Sequence, residues 1–176
     1  AATRYAPADF RYDPQTQTVV DYHNGFKDVK NRVLRMIGDP ATRYREDPVR
    51  IIRVVRFAAK LGFALEPATE RPLRAMSALL PNVPPSRTFD EMVKLLQTGH
   101  AIASVEQLRR HALIGPAGGV FPVLDAALSP AQPNPARATF VRLALEDTDR
   151  RVAEGRAVAP SFMLACLLWH DVQERW

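Results

Sequence analysis

Hydrophobic positions recur at helical spacing along most of this chain, and the clearest example lies between Asp47 and Gly62. At about 100° per residue, Val54, Phe57 and Leu61 fall on one face of a helix, and other apolar residues cover most of the remaining surface. Aspartate followed by proline is typical of a helix start, and glycine commonly ends a helix. The pattern therefore predicts a largely buried helix that begins at Asp47 and runs to about Leu61.

Similar spacing, punctuated by prolines and glycines, predicts a series of short helices on both sides of this one. They are expected over 28–37, 67–80, 86–97, 102–113, 137–154 and 160–172, with another that starts at Asp39 and a short one through Val123 and Leu124. Asp28 and Ser86 are the expected caps of two of these helices, and Gly38 is expected to end the first. Residues 115–119 are expected to form a turn and residues 129–135 a loop.

One stretch is convincingly strand-like, from Thr18 to Tyr22, and it follows an expected turn at 11–17. A lone strand or hairpin is not stable by itself, so its sheet partners are expected to lie outside this sequence. The predicted fold is therefore mainly α, with short helices after one N-terminal strand or hairpin.

The composition is that of an ordinary soluble protein, with 47% hydrophobic and 24% charged residues among 176. The chain has a single cysteine, Cys166, which lies in an apolar run. Because one cysteine cannot form a disulfide within the chain, this composition fits a reducing compartment such as the cytoplasm. No stretch resembles a signal peptide or a membrane span, so no membrane partner is expected. A preceding targeting segment is left open, because the chain does not begin with Met.

Positive charge is concentrated in one part of the chain, whose formal net charge is +5. Between Lys27 and Lys60 there are ten Lys and Arg residues against four Asp and Glu residues. Such a concentration favours a polyanionic partner, although a solvated charged face has the same composition.

The predicted buried helix carries four basic residues, which are Arg50, Arg53, Arg56 and Lys60. Burying such a charge without a partner would be strongly unfavourable. The residues alone leave two explanations open. One is ion pairing inside the protein, with Glu46 and Asp47 as nearby acids. The other is a site for an anionic ligand such as a nucleotide or an RNA phosphate.

The segment Ile37–Leu61, IGDPATRYREDPVRIIRVVRFAAKL, resembles the neck of the class II nucleotidyltransferases. That family comprises bacterial poly(A) polymerases and CCA-adding tRNA enzymes. Residues 21–28 (DYHNGFKD) resemble the join between its catalytic head and its neck, and residues 84–97 (PPSRTFDEMVKLLQ) resemble a helix of its body. The likeness is specific over about residues 12–99, and the PPSR sequence favours the poly(A) polymerase branch.

The resemblance implies a division into a remnant of an α/β catalytic head (1–26), a neck that selects the nucleotide and binds RNA (27–99), and a helical body (100–176). It also implies addition of AMP from ATP to RNA 3′ ends, with Mg²⁺ bound in the head. This chain has no Asp-x-Asp pair on a predicted strand and no Gly-Gly-x-x-Arg-Asp motif, so it is expected to be inactive alone. A CCA-adding enzyme and a noncatalytic RNA-binding helical module remain alternatives, and no protein partner is indicated.

In this family a Glu-Asp-x-x-Arg motif selects the base, and here it falls on Glu46, Asp47 and Arg50. Aspartate and arginine three positions apart lie on neighbouring turns of one helix face. They offer an acceptor and a donor fork that complement a Watson–Crick edge. Arg53, one turn further on, is expected at the phosphates or sugar of the nucleotide. For Asp47 a plain helix cap is the simpler explanation, and the two roles are compatible.

Other polar residues have weaker assignments by resemblance. Arg56 and Lys60 are expected to support the site or to contact the RNA backbone. Arg87 and Lys94 are expected to extend a basic path for RNA, although a solvated face explains them equally well. Asp21, at the strand end, is a candidate third acidic residue of the catalytic centre, with a role in the turn as the alternative.

The dipeptide His170-Asp171 resembles the metal dyad of HD phosphohydrolases. That dyad needs further His and Asp ligands at matching places, which the chain does not offer. No metal site is therefore predicted within this chain.

Overall fold

The structure, a computed structural model, describes residues 5–6, 10–115, 119–128 and 134–176. The predicted turn at 115–119 and loop at 129–135 lie mostly outside the described residues. The chain forms two compact units that divide between Leu79 and Leu80. The division by function at 26/27 and 99/100 stays a prediction.

The first unit combines short helices with two small sheets. Its elements are β1 (Tyr5–Ala6), β2 (Phe10–Asp13), β3 (Thr18–Asp21), α1 (Gly25–Lys30), β4 (Val33–Met36), α2 (Pro40–Glu46), α3 (Val49–Leu61), β5 (Ala64–Leu65), α4 (Pro67–Glu70) and α5 (Leu73–Met76). β4 pairs antiparallel with β1 and parallel with β5, whereas β2 and β3 form an antiparallel hairpin. The predicted mainly α fold with an N-terminal hairpin is confirmed.

The described part of the second unit is built from α-helices, and a 3₁₀-helix at Ser77–Asn82 precedes them. They are α6 (Pro85–Leu96), α7 (Ala101–Arg110), α8 (Pro122–Leu128), α9 (Pro135–Ala153) and α10 (Pro160–Gln173). These helices confirm the predicted ones, with ends shifted by at most three residues. Ser86 lies inside the first turn of α6 and not at its cap, because Pro84 precedes the helix. Among the described residues, no helix is both long enough and apolar enough to cross a membrane.

Helix α3 is the core of the first unit. Its fully buried side chains include Ile51, Ile52, Val54 and Val55. The helix ends at Gly62, whose φ of 63° is the left-handed conformation that glycine adopts at little cost. The predicted buried helix is confirmed, although it begins at Val49, after Pro48 in the cap position, two residues later than Asp47.

The predicted helix over 28–37 is wrong, because its second half is strand β4. Leu34 and Met36 are buried while Arg35 between them is exposed, which is the two-residue alternation of a strand. Asp28 is not a helix cap, because it lies within α1. Its carboxylate accepts a hydrogen bond from Arg35 Nε at 2.8 Å. Gly38, with φ of +87°, follows a strand and not a helix.

The predicted helix over 67–80 is also wrong in its continuity. It is split into α4, α5 and the 3₁₀-helix at Ser77–Asn82. Pro72 lies at the break before α5, where its ring and missing N–H disfavour a continuous helix. The proline is therefore the sequence signal that marks this break.

In the second unit, a carboxylate from α9 caps α7. Asp149 accepts hydrogen bonds from the backbone N–H groups of Ala101 at 2.6 Å and Ile102 at 3.2 Å. Gly99, just before α7, has φ of +77°, and a Cβ atom there would lie 3.0 Å from Val152 Cγ1 of α9. The start of α7 is therefore packed tightly against α9.

We expect Gly99→Ala to lower the free energy of unfolding by about 2–3 kcal/mol. Alanine is strained in the left-handed backbone conformation of this position, and its Cβ atom would lie too close to Val152. Urea denaturation of the variant checks this. Gly155→Ala is the matched control, because Gly155 has φ of +75° but its added Cβ would meet no other heavy atom within 4 Å. Equal losses in the two variants would contradict the crowding against Val152.

Candidate functional site

The junction between α2 and α3 positions the predicted base-selecting residues. Helix α2 starts where Asp39 Oδ2 accepts from the Thr42 N–H at 2.8 Å. It ends at Glu46 because the next residue, Asp47, is extended (φ −149°, ψ 94°), as residues before proline tend to be. Glu46 thus ends one helix, Asp47 occupies the junction, and Arg50 lies in the first turn of the next helix.

Two arginines converge on the Glu46 carboxylate. Its Oε2 atom lies 3.0 Å from Arg43 Nη1 and 3.2 Å from Arg50 Nη1. The hydrogen bond from Arg43 is the main reason why the pKa of Glu46 lies below its ordinary value. Internal ion pairing, one of the two explanations left open by the sequence, therefore applies to Arg50, through a carboxylate that is itself half exposed. Because the Glu46 carboxylate is about half exposed, this ion pair is expected to add little to stability.

The backbone of the same turn supports this arrangement. The carbonyl oxygen of Arg43 accepts from the N–H of Asp47 at 3.2 Å and from Arg50 Nη1 at 3.4 Å. The side chain of Arg50 retains 21% exposure. The Glu46 carboxylate and the Arg50 guanidinium therefore lie together at this junction, and Asp47 connects the two helices that carry them.

The other basic residues of α3 occupy three different environments. Arg53 is half-buried, and Lys60 near the helix end is exposed. Arg56 is buried, with its guanidinium carbon 4.5 Å from the centre of the Phe57 ring, a cation–π geometry. Burial of Arg56 fits a supporting role better than direct contact with an RNA backbone. The assignments of all three residues stay predictions.

Asp21 holds the turn between β3 and α1. Its Oδ1 atom accepts from the N–H groups of Gly25 at 2.9 Å and His23 at 3.1 Å, and its Oδ2 atom accepts from Phe26 N–H at 2.9 Å. The bond from Phe26, followed by that from Gly25, keeps the pKa of Asp21 below its ordinary value. The turn role that the sequence left open is thus present, and a catalytic role for Asp21 stays a prediction.

In the second unit, Arg87 and Lys94 are both exposed on α6. Lys94 Nζ lies 3.3 Å from Glu91 Oε1 on the same helix. Exposure is compatible both with a solvated face and with RNA contact, so the RNA-binding assignment of these two residues stays a prediction.

The chain contains one Asp-x-Asp sequence, Asp147-Thr148-Asp149, which lies in a helix and not on a strand. In α9, side chains two positions apart do not face each other. Asp147 pairs with Arg151 at 2.6 Å, whereas Asp149 caps α7. This sequence is therefore structural. Within the described ranges, no group of three or more His, Cys, Asp or Glu side chains is arranged to hold a metal ion.

His170-Asp171 also has a structural explanation. Arg137 binds the Asp171 carboxylate with two parallel contacts, Nη1 to Oδ1 at 3.0 Å and Nη2 to Oδ2 at 2.6 Å. The ring of His170 lies edge-on to Phe140 at 5.4 Å. Both residues thus join α10 to α9.

Comparisons with known proteins support the family resemblance seen in the sequence. Residues 62–128 match a family model described as a probable RNA- and SrmB-binding site of polymerase A. Over 164 residues, or 93% of this chain, the sequence is 43% identical to poly(A) polymerase I of Haemophilus influenzae, of which it covers 35%. A CCA-adding enzyme of Streptococcus pneumoniae is 44% identical over 82 residues, which are 47% of this chain and 21% of that enzyme.

A solved structure shows the same fold. It is a tRNA nucleotidyltransferase complexed with a primer tRNA and an incoming ATP analogue, with a TM-score of 0.61 and 26% identity, and the match covers 86% of this chain and 42% of that one. A mainly helical fold is thus shared with this nucleotidyltransferase. The chain belongs to the tRNA nucleotidyltransferase/poly(A) polymerase family, in its neck and body region. It spans about a third of the length of its poly(A) polymerase relative.

Proposed function

We propose that this chain is the nucleotide-selecting and RNA-binding part of a poly(A) polymerase, which adds AMP from ATP to RNA 3′ ends. The observation that carries the proposal is the α2–α3 junction, where Glu46, Asp47 and Arg50 lie in one turn. The likeness to poly(A) polymerase I over 93% of the chain supports adenylate addition in particular.

The chemistry of the junction suits an adenine. An adenine presents an amino donor beside a ring nitrogen acceptor on its Watson–Crick edge. A carboxylate from Asp47 accepts from the amino group, and a guanidinium from Arg50 donates to the ring nitrogen. Arg53 then holds the phosphates or the sugar, which all ribonucleoside triphosphates share.

RNA is held through positive charge. Lys60 in the first unit, and Arg87 and Lys94 in the second, are exposed cations suited to backbone phosphates. Arg56, which is buried against Phe57, supports the site from within α3. In this proposal, side chains of this chain both select the nucleotide and bind the RNA.

Mg²⁺, which nucleotidyl transfer uses, does not fit the described residues of this chain, since no cluster of ligands is present among them. We therefore place the metal and the transfer step in a catalytic head elsewhere in the protein, to which Asp21 contributes at most a third acidic group. We further propose that the chain alone is inactive, and that the protein works in the cytoplasm, a reducing compartment that suits its single cysteine.

A CCA-adding tRNA nucleotidyltransferase is the second candidate, favoured by the 44% identity to such an enzyme over 82 residues. In that case Asp47 and Arg50 would contact both CTP and ATP. The two candidates differ in which nucleotides are added and how many.

An incorporation assay on the complete gene product separates the candidates. With a generic RNA primer and ATP alone, we expect long A tails with no requirement for CTP, because one base edge is selected at every step. A tRNA lacking its CCA end, supplied with CTP and ATP, is the control substrate. Addition that stops after three nucleotides and requires CTP would support the CCA-adding enzyme, and no incorporation at all would support a noncatalytic RNA-binding module.

A further inference from the structure

All three residues of the Glu-Asp-x-x-Arg motif contact a fourth residue, Arg43, which lies outside the motif. Its Nη1 atom lies 3.0 Å from Glu46 Oε2. Its carbonyl oxygen accepts from the Asp47 N–H at 3.2 Å and from Arg50 Nη1 at 3.4 Å. Arg43 precedes these residues by three, four and seven positions, so it lies on the same side of the α2–α3 turn.

The other end of the Arg43 guanidinium lies on the loop between β4 and α2. Its Nε atom donates to the carbonyl oxygen of Ile37 at 3.4 Å. A Cβ atom on Gly38 would lie only 3.3 Å from that Nε. Because Gly38 has no side chain, the Arg43 guanidinium can pack against this loop. The Arg43 side chain therefore connects the loop to the Glu46 carboxylate.

We infer that Arg43 is a positioning residue for base selection, an inference that rests on the proposed function. Its side chain shares the Glu46 carboxylate with Arg50 and so balances the pull of that carboxylate on Arg50. Removing the side chain leaves Arg50 to neutralise Glu46, which draws the Arg50 guanidinium towards Glu46 and away from an incoming base. The backbone contacts of Arg43 persist in any variant, so a substitution tests the side chain alone.

Steady-state incorporation with ATP and with CTP by the complete gene product tests this inference. In Arg43→Gln, we expect the ratio of kcat/KM for ATP to that for CTP to fall about tenfold, since the charge-assisted hydrogen bond from Arg43 to Glu46 is lost and Arg50 is drawn towards that carboxylate. Arg43→Lys, which keeps the charge, should restore part of the ratio. Arg45→Gln removes the same charge from an exposed position of α2 and should leave the ratio unchanged.

A urea unfolding midpoint for each variant separates positioning from loss of fold. An unchanged ATP-to-CTP ratio in Arg43→Gln would overturn the inference, and so would an equal fall in Arg45→Gln. If Arg43→Gln does not fold, Arg43→Lys decides the matter, since its ratio should lie below that of the unaltered protein. Absence of ATP preference in the unaltered protein would instead refute the proposed function, on which the inference depends.

Discussion

Arg50→Ala is expected to abolish most of the preference for ATP while the protein stays folded. A guanidinium that donates to the base edge contributes to selection only when the correct base is present, so its loss should reduce the ATP preference by about 10–100-fold. The fold should persist, because Glu46, the partner of Arg50, is about half exposed and the core of α3 is formed by buried residues such as Ile51 and Val54. Incorporation from each of the four nucleotides, with circular dichroism of the variant, gives the measurement.

Arg53→Ala is the matched comparison, one turn further along the same helix. Its proposed partners, the phosphates or the sugar, are common to all nucleotides. We therefore expect a higher KM for every nucleotide and an unchanged ratio between them. An Arg50→Ala protein that still prefers ATP as strongly as before would count against base selection by Arg50. It would leave ion pairing with Glu46 as the role of this arginine.

Features with local causes could be predicted from the sequence. Helix α2 starts at Asp39-Pro40 because the Asp39 side chain caps the first turn of the helix. Helix α3 ends at Gly62 because this glycine adopts the left-handed backbone conformation, which needs no distant partner. The junction of Glu46, Asp47 and Arg50 was also predictable, since proline after Asp47 separates the helices. Each of these signals lies within a few residues of its effect.

Features with distant partners could not be predicted in the same way. Residues 33–36 fit a helical stripe as well as a strand, and their strand state depends on pairing with Ala64–Leu65, about thirty positions away. The role of Arg43 depends on Gly38 and Ile37 across a turn. Asp149 has the sequence context of a helix-surface residue, and its capping role depends on the packing of α7 against α9. Tertiary contacts decide such cases, and spacing alone does not.

The second large effect is expected in the helical second unit, at the pair between Arg137 and Asp171. The Arg137 side chain is only 6% exposed, and both of its terminal nitrogens bind the Asp171 carboxylate. Asp171→Ala leaves this guanidinium buried without its carboxylate, so we expect a loss of about 3 kcal/mol in the free energy of unfolding. For a chain of 176 residues that corresponds to a fall of roughly 6–12 °C in Tm.

The reason for the loss can be tested separately from its size. If an uncompensated buried charge is the cause, removing the charge as well should recover much of the stability, so Arg137→Met combined with Asp171→Ala should be more stable than Asp171→Ala alone. Arg142→Ala with Glu146→Ala, an exposed pair on α9, should change the free energy of unfolding by less than about 1 kcal/mol. A double variant at 137 and 171 that is less stable than Asp171→Ala would show that the burial of an unpaired arginine is not the cause of the loss.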